Sequence, residues 1–537
     1  MNNQQNPGQQ KRIILAVVLS FLFFIVYSEF FVEKAKPLDL NSSNNATALQ
    51  NTATSAPQTQ APALQSPENS SAPIQSFNSQ SALVSLESEH FSAKIDTFGR
   101  IASFKLKGSK FKDEKGEALE LIDAQGVKPL ELRFSDASIN QLAFEKPYTA
   151  SASNLQITDD KGVSFVLEQN LSENLSIQKV LRFYENGNYD LEVKLSQPNA
   201  FFITTGARPN TAKESYVVRG GLVVKADETV ETFEDGDVSS NTEIKDANIV
   251  SAFDAYYTSL FYDFDKPLDT IVSNAGNENP LIFVRSSADL KIKGYIGAKE
   301  HSTLRSIDER LIESVEYGWF TFIAKPAYSF LEFLYGFLGN WGWSIVVLTL
   351  IVRVILFPLT YKSMISMNKL KDLAPRMKEI REKYKGDPQK MNVQMMELYK
   401  KHGANPFAGC LPIILQIPIF FAIYRVLLNA VELKGAAWAL WIHDLSVLDP
   451  YYVLPIFMGA TMFLQQLITP MAIQDPTQAK IMKFLPVIFT FFFLWFPAGL
   501  TLYWCVNNLC SLLQQFIVNK LFAREHHKEK EAKKDEN

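Results

Sequence analysis

The sequence predicts a polytopic α-helical membrane protein of six transmembrane helices, with an all-β domain on the outer side of the membrane and a helical hairpin in the cytoplasm. Three observations predict it. A single apolar run follows two basic residues near the N-terminus, a long stretch of short alternating segments comes next, and five apolar runs crowd the last third. Whole-chain figures conceal this division. At 537 residues, 20% charged, 47% hydrophobic and a net charge of −4, they average a polar first two-thirds with an apolar remainder.

Residues 13–31 are apolar apart from Ser20, Ser28 and Glu29. About 19 residues at ~1.5 Å rise approach the ~30 Å of a bilayer core. Lys11 and Arg12 precede the run and hold the N-terminus inside, and no small-x-small cleavage site or lipobox cysteine follows. Residues 1–32 therefore read as an N-in signal-anchor helix, with a cleaved signal peptide as the alternative. Residues 33–80 are rich in Asn, Ser, Gln, Ala and Pro and lack apolar clusters, so burial cannot offset chain entropy and a disordered tether is expected. Residues 81–311 change to short alternating runs broken by Gly, Asn and Asp, such as FSAKIDTF at 91–98 closed by Gly99, which predict antiparallel strands of a twisted sandwich. All three cysteines, Cys410, Cys505 and Cys510, fall in C-terminal apolar runs. No disulfide framework supports the β domain, and its own core has to stabilise it.

Residues 312–336 mix aromatics with Glu313, Glu316, Lys325 and Glu332, too polar to span comfortably. An amphipathic helix at the outer interface fits better, because Trp and Tyr favour the headgroup level. The first core transmembrane helix is assigned to residues 337–362, with its apolar run at 341–360. A cytoplasmic hairpin occupies 363–406, and four further spans fall within 407–521, at 411–431, 451–470, 484–496 and 498–521. The 484–496 run is short, and a snorkelling Lys483 lengthens it. A charged cytoplasmic tail fills 522–537. Residues 362–406 hold eleven Lys/Arg against five Asp/Glu, so this topology puts the basic segments in the cytoplasm.

Arg353 stands about 12 residues into its apolar run, with Thr349 one turn earlier on the same face. At the bilayer centre an arginine costs about 2.5–3.5 kcal/mol, so it should face a bundle interior or a hydrated cavity; snorkelling to the cytoplasmic headgroups is the alternative. Gln416, Gln465, Gln466, Asn507, Asn508, Gln514 and Gln515 either line the same cavity or hydrogen-bond helix to helix. Arg425 lies nearer the outer face and is expected to snorkel outward.

In the hairpin, Leu370, Leu373, Met377, Ile380 and Tyr384 keep a/d spacing, and Met391, Met395 and Leu398 continue it after a Gly-Asp-Pro turn. Asp387 caps the second helix with Pro388 at its first position, while Pro375 should bend the first. Met377, Met391 and Met395, with Met364, Met367 and Met396, either offer an adaptable surface to apolar partners or fill the hairpin core.

An acidic net charge argues against nucleic-acid binding. The six histidines form no HExxH motif, and neither a P-loop nor G-x-S-x-G occurs. No enzyme, metal or cofactor chemistry is expected. A secondary transporter with midplane charges, or a β-domain binding module merely tethered by helices, stays open on these features.

The runs GNWGWSIVVLTLIVRVILFPLT, NPFAGCLPIILQIPIF, ALWIHDLSVLDPYYVLPIFMGATMF and MKFLPVIFTFFFLWFPAGLTLYW resemble the YidC membrane-insertase family, and the likeness covers residues 317–520. Anchor, tether and β domain agree in order and size with its Gram-negative form. The resemblance implies a periplasmic β-supersandwich in the inner membrane protein, and a hydrophilic groove open to cytoplasm and lipid. It places Arg353, Thr349, Gln466 and Trp504 at that groove, and Gln416 is added as a polar neighbour. Some members have Tyr at the position of Trp504, and Arg425 stands where an uncharged residue is expected. Nascent membrane proteins, the Sec translocon, the ribosome, signal recognition components and membrane lipids are the implied partners.

Overall fold

Alternation of apolar and polar side chains builds two sheets between residues 84 and 298. The structure, a computed structural model, describes residues 82–113, 115–211, 217–404, 411–469 and 476–535. The expected signal anchor and tether lie outside the described residues. The smaller sheet has the order Leu119–Glu120, Ile101–Leu106, Phe91–Ile95, Val84–Glu87, Asn154–Gln156, antiparallel except for the last pair. The larger, of thirteen strands, runs from Leu132–Phe134 through Phe201–Thr204, Pro280–Ser286, Leu268–Asn274, Thr242–Phe253, Tyr257–Tyr262, Leu290–Ala298, Asn188–Leu195, Ser176–Phe183 and Val163–Asn170 to Thr149–Ala150. The hairpin Gly220–Lys225 and Val230–Glu234 joins beside Thr242–Phe253. α1 (Ala137–Glu145), capped by Asp136, packs beside the strand Leu132–Phe134.

The sheets share one core. Phe91 stacks on Phe104 at 4.6 Å and meets Phe183 of the other sheet at 6.4 Å, amid Val84, Leu86, Phe165, Leu181 and Tyr189. Each such side chain contributes about 1.5–3 kcal/mol by leaving water. The run expected at 91–98 stops as a strand at Ile95. Asp96 Oδ1 accepts the backbone N–H groups of Phe98 and Arg100, both at 3.0 Å, and folds the chain into a turn completed by Gly99 at φ +66°.

Strand Tyr257–Tyr262 is buried at every position. Tyr257 and Phe261, with Val250, face the sandwich core. Leu260 and Tyr262, with Ile249 and Phe253, face a second core containing Leu304, Leu311, Val315 and Tyr317, which continues into the helices. A strand covered on both faces reads as a continuous apolar run, and this one seats the β domain on the helical part.

The chain leaves the sheet through α2 (His301–Ile307), two 3-10 turns at Glu309–Ser314 and Gly318–Phe320, and α3 (Thr321–Leu338). α3 buries Ala324, Tyr328, Leu331 and Leu334 and exposes Phe322, Phe333 and Phe337, so it is two-faced, and it starts at Thr321. Gly339 ends it in the left-handed region, and Asn340 immediately caps α4 (Trp341–Lys383) by accepting Trp343 N–H at 3.0 Å. α5 (Pro388–Lys401), α6 (Leu411–Asn429), α7 (Val453–Ile468), α8 (Pro476–Phe493) and α9 (Ala498–Asp535) follow. α9 packs along α4 and α7, α8 on α7, and α3 on α4 and α6. α7 and α8 approach closely at Gly459, where a Cβ would collide with Thr490 Oγ1.

Helix lengths differ from expectation. α4 does not stop near residue 360 but runs 43 residues into the hairpin, with Pro358 and Pro375 inside it. A proline removes one backbone hydrogen bond, which the rest of a long helix tolerates. α8 starts at Pro476, so the span expected to be short has 18 helical residues. α9 continues through the charged tail to Asp535. Among the described residues, α4 alone is long and apolar enough to cross a bilayer by length and composition; Gln416–Asn429, Val453–Ile468 and Lys483–Phe493 are shorter apolar helices.

Candidate functional site

Three helices converge on Arg353. α4 brings the arginine, 7% exposed, to a packed face beside α9 and α6. Its Nε–H donates to Asn507 Oδ1 at 2.7 Å, and Gln416 Nε2 donates to the same oxygen at 3.3 Å. Gln514 Nε2 reaches the Arg353 carbonyl at 3.4 Å. Among the described residues no carboxylate pairs with Arg353. The side chain turns into the bundle and is held there by an amide.

Thr349 is buried one turn earlier and donates to Ile345 O at 2.7 Å, so its hydroxyl is satisfied within its own helix. Trp504, three residues before Asn507 on α9, packs edge-on against Phe420 at 4.5 Å and beside Phe489 and Phe493. Among the described residues, its buried indole Nε1 has no hydrogen-bond partner. Gln466 is half-buried on α7. Asn507 is the hub that sequence reading named only among several polar candidates. Its signal was the spacing Trp504, Asn507, Ser511, Gln514, which keeps one face of α9 polar.

A second polar layer lies further along the same helices. Asn368 Nδ2 and Gln515 Nε2 donate to Asn519 Oδ1 at 3.0 and 2.7 Å, and Asn519 Nδ2 donates to Ile468 O at 3.1 Å. Asn519 thus makes the helix-to-helix bonds of this layer and Gln515 supports it from one turn earlier on α9, while Gln514 reaches Arg353 directly and Gln416 through Asn507.

In the α4–α5 pair, Met377 and Met395 are buried with Leu370, Leu373 and Ala404. Met391 is half-buried, whereas Val393 and Met396 are exposed. Of the two roles open to these methionines, surface for partners or core filler, Met377 and Met395 take the second and not the first: they fill the seam, because a two-helix unit has few other apolar groups to bury. Asp387 caps α5 by accepting Lys390 N–H at 3.1 Å, with Pro388 at the first position.

Arg425 pairs with Glu316 at 3.6 Å, and Asn429 Nδ2 donates to Glu316 O. Nearby, His301 stacks on Tyr328 at 3.6 Å and bonds Tyr317 Oη through Nε2 at 2.8 Å; its backbone N–H donates to Glu432 Oε1 at 2.9 Å. Burial raises the Glu432 pKa, but contacts with His301 outweigh it and hold the carboxyl below its ordinary value. These contacts tie the β domain to the outer ends of the helices.

Comparison with known proteins agrees with this architecture. A family profile described as 60Kd inner membrane protein matches residues 333–526, and one described as YidC periplasmic domain matches 83–330. The membrane protein insertase YidC of Campylobacter jejuni is 60% identical, over 98% of this chain and 99% of its own. The chain belongs to the YidC family. The Wolinella succinogenes member is 48% identical over 97% of this chain and 96% of its own, and a Helicobacter pylori member 43% identical over 98% of each. The β domain is the family's periplasmic domain, and the helical part belongs to an inner-membrane protein.

Proposed function

We propose that the chain inserts nascent membrane proteins, its clients, into the inner membrane and helps them fold, alone or with the Sec translocon. The observation that carries this reading is a buried arginine inside a helical bundle, bonded to an amide and matched by no carboxylate among the described residues. A charge left uncompensated in a site of reduced dielectric attracts an acidic segment passing through the membrane. In this reading the apolar helix of a client slides along a hydrophilic groove open to cytoplasm and lipid. Its short polar tail is hydrated beside Arg353, with Thr349, Gln416, Gln466 and Trp504 along the path. No nucleotide is consumed. A potential positive outside favours outward movement of an acidic tail by about 2.3 kcal/mol per charge per 100 mV.

The reading includes six transmembrane helices, both termini in the cytoplasm, and α4–α5 as a cytoplasmic hairpin that receives clients from the ribosome and signal recognition components. Its exposed Val393 and Met396, amid lysines, support that role. In proteoliposomes, Arg353→Ala is expected to lower insertion of a client with an acidic translocated tail at least tenfold, about 1.4 kcal/mol, while Arg353→Lys retains most of it. Protease protection of the tail measures this, and full insertion by the alanine variant would overturn the reading.

A further inference from the structure

Among the described residues, the Arg353 guanidinium gives one N–H to another side chain. That bond uses Nε and ends on Asn507 Oδ1. A guanidinium tied through Nε keeps the fork made by its two Nη atoms, the end that matches a carboxylate bidentately. Asn507 is itself held: it is 7% exposed, and Gln416 Nε2 donates to the same Oδ1, which orients the amide with its oxygen toward the arginine. We infer that Asn507, oriented by Gln416, is a positioning residue that fixes Arg353 through Nε and leaves its Nη fork and its whole charge for a carboxylate carried by the client. The inference rests on the insertase reading above and assigns its acidic-tail selectivity to the neutrality of residue 507.

The choice of amide over carboxylate is the physical core of this assignment. An aspartate at 507 has nearly the same shape and would accept the same N–H. It would do so as a charge-assisted bond and cancel the arginine's charge inside the protein. An incoming carboxylate would then meet a neutral pair, with no net positive charge left to attract it. Alanine at 507 removes the anchor without adding charge, so the arginine keeps its charge and loses only its orientation. A merely structural asparagine predicts the opposite order, because aspartate preserves the hydrogen bond that alanine destroys.

The test uses the full chain in proteoliposomes and two clients that differ only in the translocated tail, one bearing Asp and Glu, the other Asn and Gln. The readout is the ratio of acidic-tail to neutral-tail insertion in the same vesicles. Asn507→Asp should lower this ratio about tenfold, to the level of Arg353→Ala, and Asn507→Ala should lower it by less. An unchanged ratio in Asn507→Asp, with Arg353→Ala reduced, would overturn the positioning role and leave the insertase reading intact. An unchanged ratio in Arg353→Ala would overturn that reading instead. If Asn507→Asp fails to fold by circular dichroism, Gln416→Ala takes its place: a lowered ratio supports the assignment and an unchanged one counts against it.

Discussion

Several single residues are decided by charges that the fold removes from water. Arg100 bonds Asp96 and Glu131, and Arg133 bonds the other oxygen of Glu131, all within the β domain. Lys179 lies fully buried against this group, donating to Gly99 O at 3.0 Å and Leu130 O at 2.8 Å, over the Tyr148 ring. Burial, only partly offset by Asp96, pushes its amine down to about 7. The unfolded chain, with an ordinary lysine near 10.4, binds more protons between these values, so stability from this group rises with pH from about 7 to about 10. The slope is at most about 1.4 kcal/mol per pH unit. Lys179→Met should abolish that rise, so the gap between wild type and variant grows as pH increases. Urea unfolding followed by circular dichroism at several pH values checks this, and parallel curves would count against a titrating Lys179.

At the scale of elements, the α4–α5 pair shows how few contacts hold a two-helix unit. Its seam consists of Leu370, Leu373, Met377, Met395 and Ala404, with Met367, Leu398 and Tyr399 at the margin. Met377→Ala leaves a cavity in a seam this small and should cost about 2–5 kcal/mol of local stability. Met396→Ala, on the exposed side, should stay within about 0.5 kcal/mol. Hydrogen exchange of residues 364–404 separates the two, and equal protection in both variants would mean that Met377 is not part of the seam. The seam and the Asp387-Pro388 start of α5 were legible in the a/d spacing, because local periodicity specifies a hairpin of neighbours. Which methionines point outward was not, since a heptad pattern gives a face and not the partner that covers it.

Among the described residues, the second apolar core runs from the central strands through α2 and α3 into α4, α6 and α9, beside the sandwich core, and is latched by polar contacts around His301. Glu432 belongs to that latch. A carboxyl whose folded pKa is depressed contributes stability that is present above its unfolded value, about 4.3, and is lost as pH falls through the lower folded value. Acid should therefore loosen residues 301–338 first. Glu432→Gln should weaken the same region by about 1.5–3 kcal/mol at pH 7 and remove its acid sensitivity. Hydrogen exchange between pH 3.5 and 7 reads both effects, and a variant with wild-type acid sensitivity would remove Glu432 from the latch. Local pattern along the chain marks the apolar helices, the β-domain alternation, the two faces of α3, and Arg353 as a charge that needs company. Each rests on spacing within one segment, where a period of two or near three and a half specifies what neighbours do. Packing between distant elements is what brings Asn507 to Arg353 across 154 residues, Gln416 to Asn507 across 91, Arg425 to Glu316, and a cover to both faces of strand Tyr257–Tyr262. Those pairings depend on how distant elements pack, and periodicity within a segment carries no record of its partner.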